Sequence, residues 1–350
     1  METIFIGIPA YNEEDIHQTI KTALGKATNP SAIRMGVVLH YPNKDFPNLN
    51  IYPNVKIIAI DNPMGLGTCL TRDLAASLYE GEDYYLQIDA HTIFKAGWDS
   101  MLKANYKELK KTVEKPIISG YVPFWYKDKV TGETLTMRGD SEFEKSAIPW
   151  TQVPKSVGLK NNVIDFEEQA YTVEGLDTPF AKEANFSSSN YEEQFLTSGH
   201  FIFTSGKFLE EVPFDPLLTY HEENTTPMRA WTRGYRIFNM KTQVLWTREM
   251  YRGRDVVNSW RSHASTIRNE AGEVFADKII DGCLRNKDIL TGKVLGIWGA
   301  PTQELLDQYE LTSGINYKKF YEEMYKVVEK TGNKHYAAKR LYDLDKLKNG

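Results

Sequence analysis

The chain has 350 residues, 41% hydrophobic and 25% charged, with a formal net charge of −5. This composition fits a globular protein of one large domain or two ordinary ones, and its acidic balance gives no global basic field of the kind that advertises nucleic-acid binding. No apolar run approaches the roughly 18 residues of a membrane-spanning helix, and the segment Met1–Pro9 lacks the regions of a signal peptide. Two cysteines, Cys69 and Cys283, are too few for a disulfide framework, so the expectation is a cytoplasmic protein without membrane insertion.

Residues 3–8 form a short apolar run ending at Pro9, followed by Ala10-Tyr-Asn-Glu-Glu-Asp15 and then Ile16, Ile20 and Leu24 at helical spacing. This reads as strand, loop and helix. The loop either holds a nucleotide base and ribose with its free backbone groups and carboxylates, or is a helix start in which Asn12 caps and Glu13 and Glu14 answer the helix dipole. Met35–Leu39 and Val55–Ile60 repeat the strand signal. Met64-Gly-Leu-Gly-Thr68 is a glycine turn leading into a helical pattern over Leu70–Tyr79. It lacks the Gly-Lys-Ser/Thr ending of a phosphate-cradling loop and has Leu70 where a dinucleotide fingerprint needs a third glycine. Arg72 on that helix faces a donor diphosphate, or else pairs at the surface with Asp73 or Glu80.

Tyr84–Ile88 is the next strand, and it stops abruptly at Asp89-Ala-His91. Side chains two apart on a strand point the same way, so Asp89 and His91 can converge just past its carboxyl end, where open α/β sheets bind ligands. A carboxylate and an imidazole aimed together make half of a divalent-metal site; the plain alternative is a turn cap beside an ordinary histidine. Trp98, Met101 and Leu102 begin another helix, and residues 117–126 read as an aromatic strand.

Residues 127–195 read as antiparallel strands and loops, with a hairpin turn at Lys129–Thr134. Val212–Tyr220 leads into His221-Glu222-Glu223 and a helix carrying Met228 and Trp231. These ionisable groups bind acceptor hydroxyls, or complete a metal site, or simply open the helix. Over residues 244–268, Arg248, Arg252, Arg254, Arg261 and Arg268 outnumber Glu249 and Asp255. With Trp246, Tyr251 and Trp260 interleaved, this cluster suits a phosphate backbone, a donor diphosphate or a solvated face. The last third is helical in pattern, with Tyr317, Phe320, Tyr321 and Met324 along one face. Strands alternating with helices predict an α/β fold: a mixed, mostly parallel sheet flanked by helices, an antiparallel acceptor-side portion and a helical C-terminal region.

In this order the motifs resemble a glycosyltransferase of the GT-A type. They look most like glycosyltransferase family 60, the hydroxyproline and polypeptide N-acetylglucosaminyltransferase-like group, itself related to the polypeptide N-acetylgalactosaminyltransferases. The resembling stretches are Pro9–Glu14, Gly65–Arg72, Leu78–His91 with Phe94 and Gly97-Trp-Asp99, Phe195–Phe203, Val212–Pro216, Glu222-Glu223 with Arg229–Tyr235, and Leu295–Pro301 with Gln308-Tyr and Ser313-Gly-Ile. The resemblance covers most of residues 3–315. It implies a UDP-sugar donor held by Pro9, Ala10, Tyr11, Asn12, Glu14, Gly65, Arg72 and Asp89, and a divalent metal, Mn2+ first and Mg2+ second, on Asp89 and His91. It also implies retention of anomeric configuration, with His221, Glu222 and Glu223 around the acceptor and transferred sugar. Relatives carry a third metal-binding histidine where this chain has Trp246 or Thr247. His263 is the nearest downstream substitute, followed by His200 and His221.

The expected organisation is a catalytic domain over residues 1–270, with a nucleotide-sugar half at 1–105 and an acceptor half at 106–270, and a helical extension over 271–350. The acceptor is a protein hydroxyl, a hydroxymethylated base in DNA or a small glycan or lipid-linked molecule. The competing function is a non-catalytic nucleotide-sugar or glycan-binding module on the same scaffold.

Overall fold

The computed structural model describes residues 1–41, 45–61, 66–120, 122, 124–127, 131, 133–136, 191–219, 222–248, 272–331, 342–343 and 346–347. The first half alternates as the sequence predicts. It runs β1 (Ile4–Tyr11), α1 (Ile16–Gly25), β2 (Ile33–His40), β3 (Val55–Ile60), α2 (Thr68–Ala76), β4 (Tyr84–Ile88), β5 (Thr92–Phe94) and α3 (Trp98–Leu109). β6 (Lys115–Ser119), β7 (Phe124–Lys127), β8 (Thr134–Thr136), β9 (Glu193–Gln194) and β10 (Phe201–Ser205) follow. The remainder comprises α4 (Phe208–Glu211), α5 (Glu222–Trp231), β11 (Tyr235–Phe238), β12 (Leu245–Arg248), α6 (Gly272–Leu290), α7 (Gln303–Ser313) and α8 (Tyr317–Thr331).

Eight strands form the main sheet in the order β3-β2-β1-β4-β10-β6-β11-β9. β3, β2, β1 and β4 are parallel neighbours, β10 runs antiparallel between β4 and β6, and β11 returns parallel to β6. The order 3-2-1-4 reverses between β1 and β4, so a crevice opens at the carboxyl ends of these two strands. A second sheet, β5-β12-β7-β8, lies beyond the end of β4. The aromatic stretch predicted as one strand is divided between β6 and β7, which belong to different sheets. Gly120 and Pro123 in the intervening sequence are the breakers that a simple reading of apolar content passes over. The hairpin signal is matched by β7 and β8, which pair antiparallel; residues 137–190 lie outside the described residues.

Alternation along β1 sorts the core. Ile4, Ile6 and Ile8 pack with α1 and α3 through Ile20, Ala23, Trp98 and Leu102. Phe5 points to the opposite face, among Tyr85, Phe208 and Tyr235. Each buried Ile, Leu or Phe among them contributes roughly 1.5–3 kcal/mol of burial free energy. A third cluster joins the C-terminal helices to the rest: Leu284, Tyr309, Tyr317 and Phe320 pack with Cys69 of α2 and with Met228 and Trp231 of α5. Arg229 of α5 and Arg233 in the turn after it reinforce this joint by donating to the carbonyls of Ile297 and Gly299, and Asp215 accepts from Arg285 Nε at 2.8 Å.

The joint is tight at Thr219. A Cβ at Gly67, whose φ is +83°, would meet Thr219 O at 2.5 Å, and one at Gly282 would meet Thr219 Oγ1 at 2.6 Å. Thr219 is thus lodged between the start of α2 and the middle of α6. None of the helices among the described residues is long and apolar enough to cross a membrane.

The Gly97-Trp-Asp99 motif has a structural job. Trp98 Nε1 donates to Ala23 O at 2.9 Å, and the fully buried Asp99 accepts from Thr28 N at 2.7 Å and Asn29 N at 3.1 Å. It locks the start of α3 to the segment after α1. Replacing Asp99 with Ala leaves two donors unanswered and is expected to destabilise the fold by about 1–3 kcal/mol, read as a shift of the urea midpoint with an unchanged slope.

Candidate active site

Two loops face each other across the β1/β4 crevice. β1 runs through Pro9, Ala10 and Tyr11, pairing with Val38, Leu39 and His40 of β2. These residues are strand rather than the predicted loop. Pairing with β4 ends at Gly7, so the proline, which has no N–H to give, falls where β1 has one neighbour. The chain then turns at Asn12, whose φ of +48° is left-handed, a conformation asparagine tolerates better than most residues. Asn12 N–H donates to His40 O at 3.1 Å. Its side chain is buried, and Oδ1 has no hydrogen-bond partner among the described residues. Asn12 does not cap α1; the cap position is Asp15, whose side chain makes no capping hydrogen bond. Tyr11 packs edge-on against His40 with ring centroids 4.9 Å apart, and burial pushes its hydroxyl up to about 12. The turn aims Glu13 into the crevice and leaves Glu14 exposed.

Opposite stands Asp89-Ala-His91, and every carbonyl of this tripeptide is engaged. Asp89 O accepts from Thr92 Oγ1 at 2.8 Å and Ala90 O from Thr19 Oγ1 at 2.7 Å. His91 O accepts from Trp125 Nε1 at 2.9 Å and Arg248 N at 3.0 Å. So fixed, His91 Nε2 and Asp89 Oδ2 lie 3.7 Å apart, the convergence that strand alternation predicts. His91 Nδ1 meets Glu13 Oε2 at 2.8 Å, and His200 Nδ1 meets Asp89 Oδ2 at 2.6 Å. Burial alone would raise the Asp89 carboxyl; His200 first, then His91 and Arg72, overcome it and hold the group well below the ordinary carboxylate value. Burial disfavours the His91 cation, yet Glu13 and then Asp89 raise its proton affinity. Burial likewise opposes ionised Glu13, and His91 more than offsets it, leaving the carboxyl below its usual value.

Arg72 joins this pair to the far wall. It is 3% exposed, which excludes the surface pairing with Asp73 or Glu80. Its Nε donates to Glu222 Oε1 at 3.2 Å, and its Nη2 donates to Asp89 Oδ1 at 3.2 Å and Gly199 O at 2.7 Å. Nη1 is buried with no partner among the described residues. Glu222 Oε2 also accepts from Cys69 Sγ at 3.4 Å. Glu223 accepts from Gly199 N–H at 2.6 Å, and a Cβ at residue 199 would come within 3.1 Å of that same carboxylate oxygen. A side chain there would have to push the Glu223 carboxylate back by a few tenths of an ångström. Burial raises the Glu223 carboxyl above its ordinary value, with Glu222 adding to the effect and His200 opposing it.

Of the residues singled out from the sequence, Tyr11, Asn12, Arg72, Asp89, His91, Glu222 and Glu223 line or underlie this one crevice, while Gly65, His221 and His263 lie outside the described residues. Arg252, Arg254, Arg261 and Arg268 of the basic cluster lie outside them too. Arg248 is described, and its charge is engaged by Asp15. Thr247 stands opposite Thr92 in the β12/β5 ladder, one residue from His91, with a buried hydroxyl. No group of three or more His, Cys, Asp or Glu side chains among the described residues is arranged to hold a metal on its own. Glu13 and Gly199 were not singled out as site residues, and His200 ranked low; the one sequence signal for the latter two is a polar Ser198-Gly-His200 step directly before the apolar β10.

A family model described as Glycosyltransferase (GlcNAc) matches residues 48–285. No curated protein matches the chain. Among solved structures, GalNAc-T7 with UDP, GalNAc and Mn2+ aligns over 93% of this chain with a TM-score of 0.51 at 14% identity. The chain spans 58% of the length of that structure. The S. aureus TarS fragment 1–349 aligns over 98% of this chain and 88% of its own, with a TM-score of 0.41 at 15% identity. The same fragment with UDP-GlcNAc gives 0.42 at 14% identity, over 98% of this chain and 89% of its own.

The geometry around Arg72 sets an expectation for stability. Arg72→Met removes the one guanidinium between two carboxylates and is expected to cost roughly 3–5 kcal/mol. Adding Glu222→Gln should return part of that loss, since a stranded charge disappears with it. Chemical denaturation of the two single variants and the double variant measures the coupling.

Proposed function

Because the chain belongs to the GlcNAc glycosyltransferase family, we propose that it moves a sugar from a UDP-sugar to a hydroxyl acceptor, with a divalent metal and retention of anomeric configuration. The observation that carries this reading is the single crevice at the β1/β4 switch. There Asp89 and His91 stand on one side, Glu222 and Glu223 on the other, and buried Arg72 bonds to both. The ligands present in the GalNAc-T7 structure, UDP, GalNAc and Mn2+, belong to the same chemical class.

The donor set fits such an ion. The carboxylate oxygen suits Mn2+ or Mg2+, the imidazole nitrogen beside it favours the softer Mn2+, and ions of this kind at nucleotide sites take few protein ligands while phosphates and water supply the rest. Asp89 and His91 would hold it; when bound, it supplies Lewis-acid stabilisation of the charge developing on the departing diphosphate. Asn12 Oδ1, buried and without a partner among the described residues, is an acceptor for a donor N–H on the nucleotide side. Arg72 fixes the Asp89 carboxylate in place and offers Nη1 toward an anion.

The two glutamates take different parts. Glu222 is 6% exposed and committed to Arg72 and Cys69, so it positions. Glu223 is partly exposed, and its raised proton affinity suits it to take the proton of an incoming acceptor hydroxyl. The acceptor is carried by a protein or by a hydroxymethylated DNA base; binding that falls steeply with salt marks the DNA case.

Incubation with a panel of UDP-sugars and Mn2+ should release UDP. Silence with every donor and every divalent ion would overturn the enzymatic reading. Asp89→Ala should abolish metal-dependent donor binding, measured by calorimetry with and without chelator.

Glu223→Gln makes a sharper case. The amide oxygen still accepts from Gly199 N–H, while the buried charge is gone. Because the folded state holds the Glu223 proton more tightly than the ordinary value of 4.5, this group loses stability as pH rises past that value. The variant should therefore melt higher than the parent at neutral pH, and the gain should vanish near pH 4, where the parent is also protonated. Its kcat should fall by about 10²–10⁴.

A further inference from the structure

The metal half-site rests on the orientation of one imidazole, and the structure shows what sets that orientation. His91 is the third residue of a tripeptide whose carbonyls are all bonded, so its backbone is fixed. Its ring remains to be aimed. Nδ1 faces Glu13 Oε2 at 2.8 Å, and Nε2 faces Asp89 at 3.7 Å. A carboxylate can only accept, so Nδ1 must carry the proton of this hydrogen bond and Nε2 is the nitrogen left for a cation.

Glu13 is itself held firmly. Its Oε1 accepts from Asp15 N at 3.3 Å, and its carbonyl accepts from Tyr41 Oη at 2.5 Å. The left-handed turn at Asn12 points it inward. Both side chains are largely shielded, His91 at 12% and Glu13 at 16% exposure, so water competes weakly for the contact.

We propose that Glu13 is the positioning residue of the metal centre: it fixes the His91 tautomer and ring plane so that Nε2 and Asp89 Oδ2 present one donor pair. This rests on the metal-dependent reading above. With an ion bound, the arrangement would be a carboxylate–histidine–metal relay, in which the outer carboxylate both orients the ring and raises its basicity as a ligand. It assigns to the first glutamate of Asn12-Glu-Glu14 the work that the sequence divides between two acids, and it leaves exposed Glu14 outside the centre.

The test titrates Mn2+ in the presence of UDP, following free Mn2+ by electron paramagnetic resonance. The proteins are the parent chain, Glu13→Ala, Glu13→Gln, His91→Ala, Asp89→Ala and the double variant Glu13→Ala/His91→Ala. Glu13→Ala should weaken Mn2+ by about 10- to 100-fold. Glu13→Gln, whose amide oxygen still accepts from Nδ1–H, should lose less. The double variant should bind no worse than His91→Ala, because Glu13 acts only through that ring; a merely structural role would add its loss to that of His91→Ala. Mn2+ affinity in Glu13→Ala equal to the parent, or full additivity with His91→Ala, overturns the proposal while leaving the metal reading intact. Parent-like affinity in Asp89→Ala and His91→Ala overturns the metal reading and this proposal together. Melting curves of each protein separate a global folding defect from a local one.

Discussion

Arg72 is buried among three acceptors drawn from three distant parts of the chain: Asp89 after β4, Gly199 before β10 and Glu222 at the start of α5. At an effective dielectric of about 20, one unit charge pair near 3.2 Å is worth roughly 5 kcal/mol. Removing a guanidinium from water costs several kcal/mol. The assembly is therefore close to balance with all partners present and strongly unfavourable with one missing. Such a contact adds little to overall stability, yet it fixes where the Asp89 wall of the crevice stands relative to the Glu222 wall. Gly199 completes the arrangement, since its carbonyl serves Arg72 and its amide serves Glu223.

The same small volume drives two carboxyl groups in opposite directions. Asp89 is held ionised by the cationic groups around it, whereas Glu223 is pushed toward its protonated form by burial and by Glu222. Environments that separate like groups in this way commonly assign them different chemical parts, one permanently anionic and one able to exchange a proton. Here the separation follows the geometry: the group held ionised lies on the strand side with the histidines, and the group with raised proton affinity lies on the helix side.

Much of this was legible in the sequence where the signal is local. The strand β4 and the convergence of Asp89 and His91 follow from alternation with period two, and the Rossmann-like order follows from alternating elements. What escaped is non-local or conformational. Periodicity cannot distinguish Glu13 from Glu14, because the choice depends on a left-handed residue at Asn12 that turns one inward and the other out. His200 is 111 residues from Asp89, and only the antiparallel pairing of β10 with β4 brings it alongside. The burial of Arg72 was similarly hidden, since a single arginine on an amphipathic helix reads equally well as a surface residue. The glycine turn before α2 and the Gly97-Trp-Asp99 motif both carried a resemblance, but the second proves to be a joint between helices.

Thr219 connects regions that the sequence treats as separate. It sits against glycines at both neighbours, Gly67 at the head of α2 and Gly282 within α6, and three residues further on lies Glu222. A methyl group added on either side has nowhere to go, so these contacts act as a mechanical stop. The late helices thereby pack against the same threonine as the head of the helix that carries Arg72, a few residues before the helix that carries both glutamates. Substitution in the C-terminal helices is consequently limited by the room around one threonine, because a close-packed interior yields little to added volume.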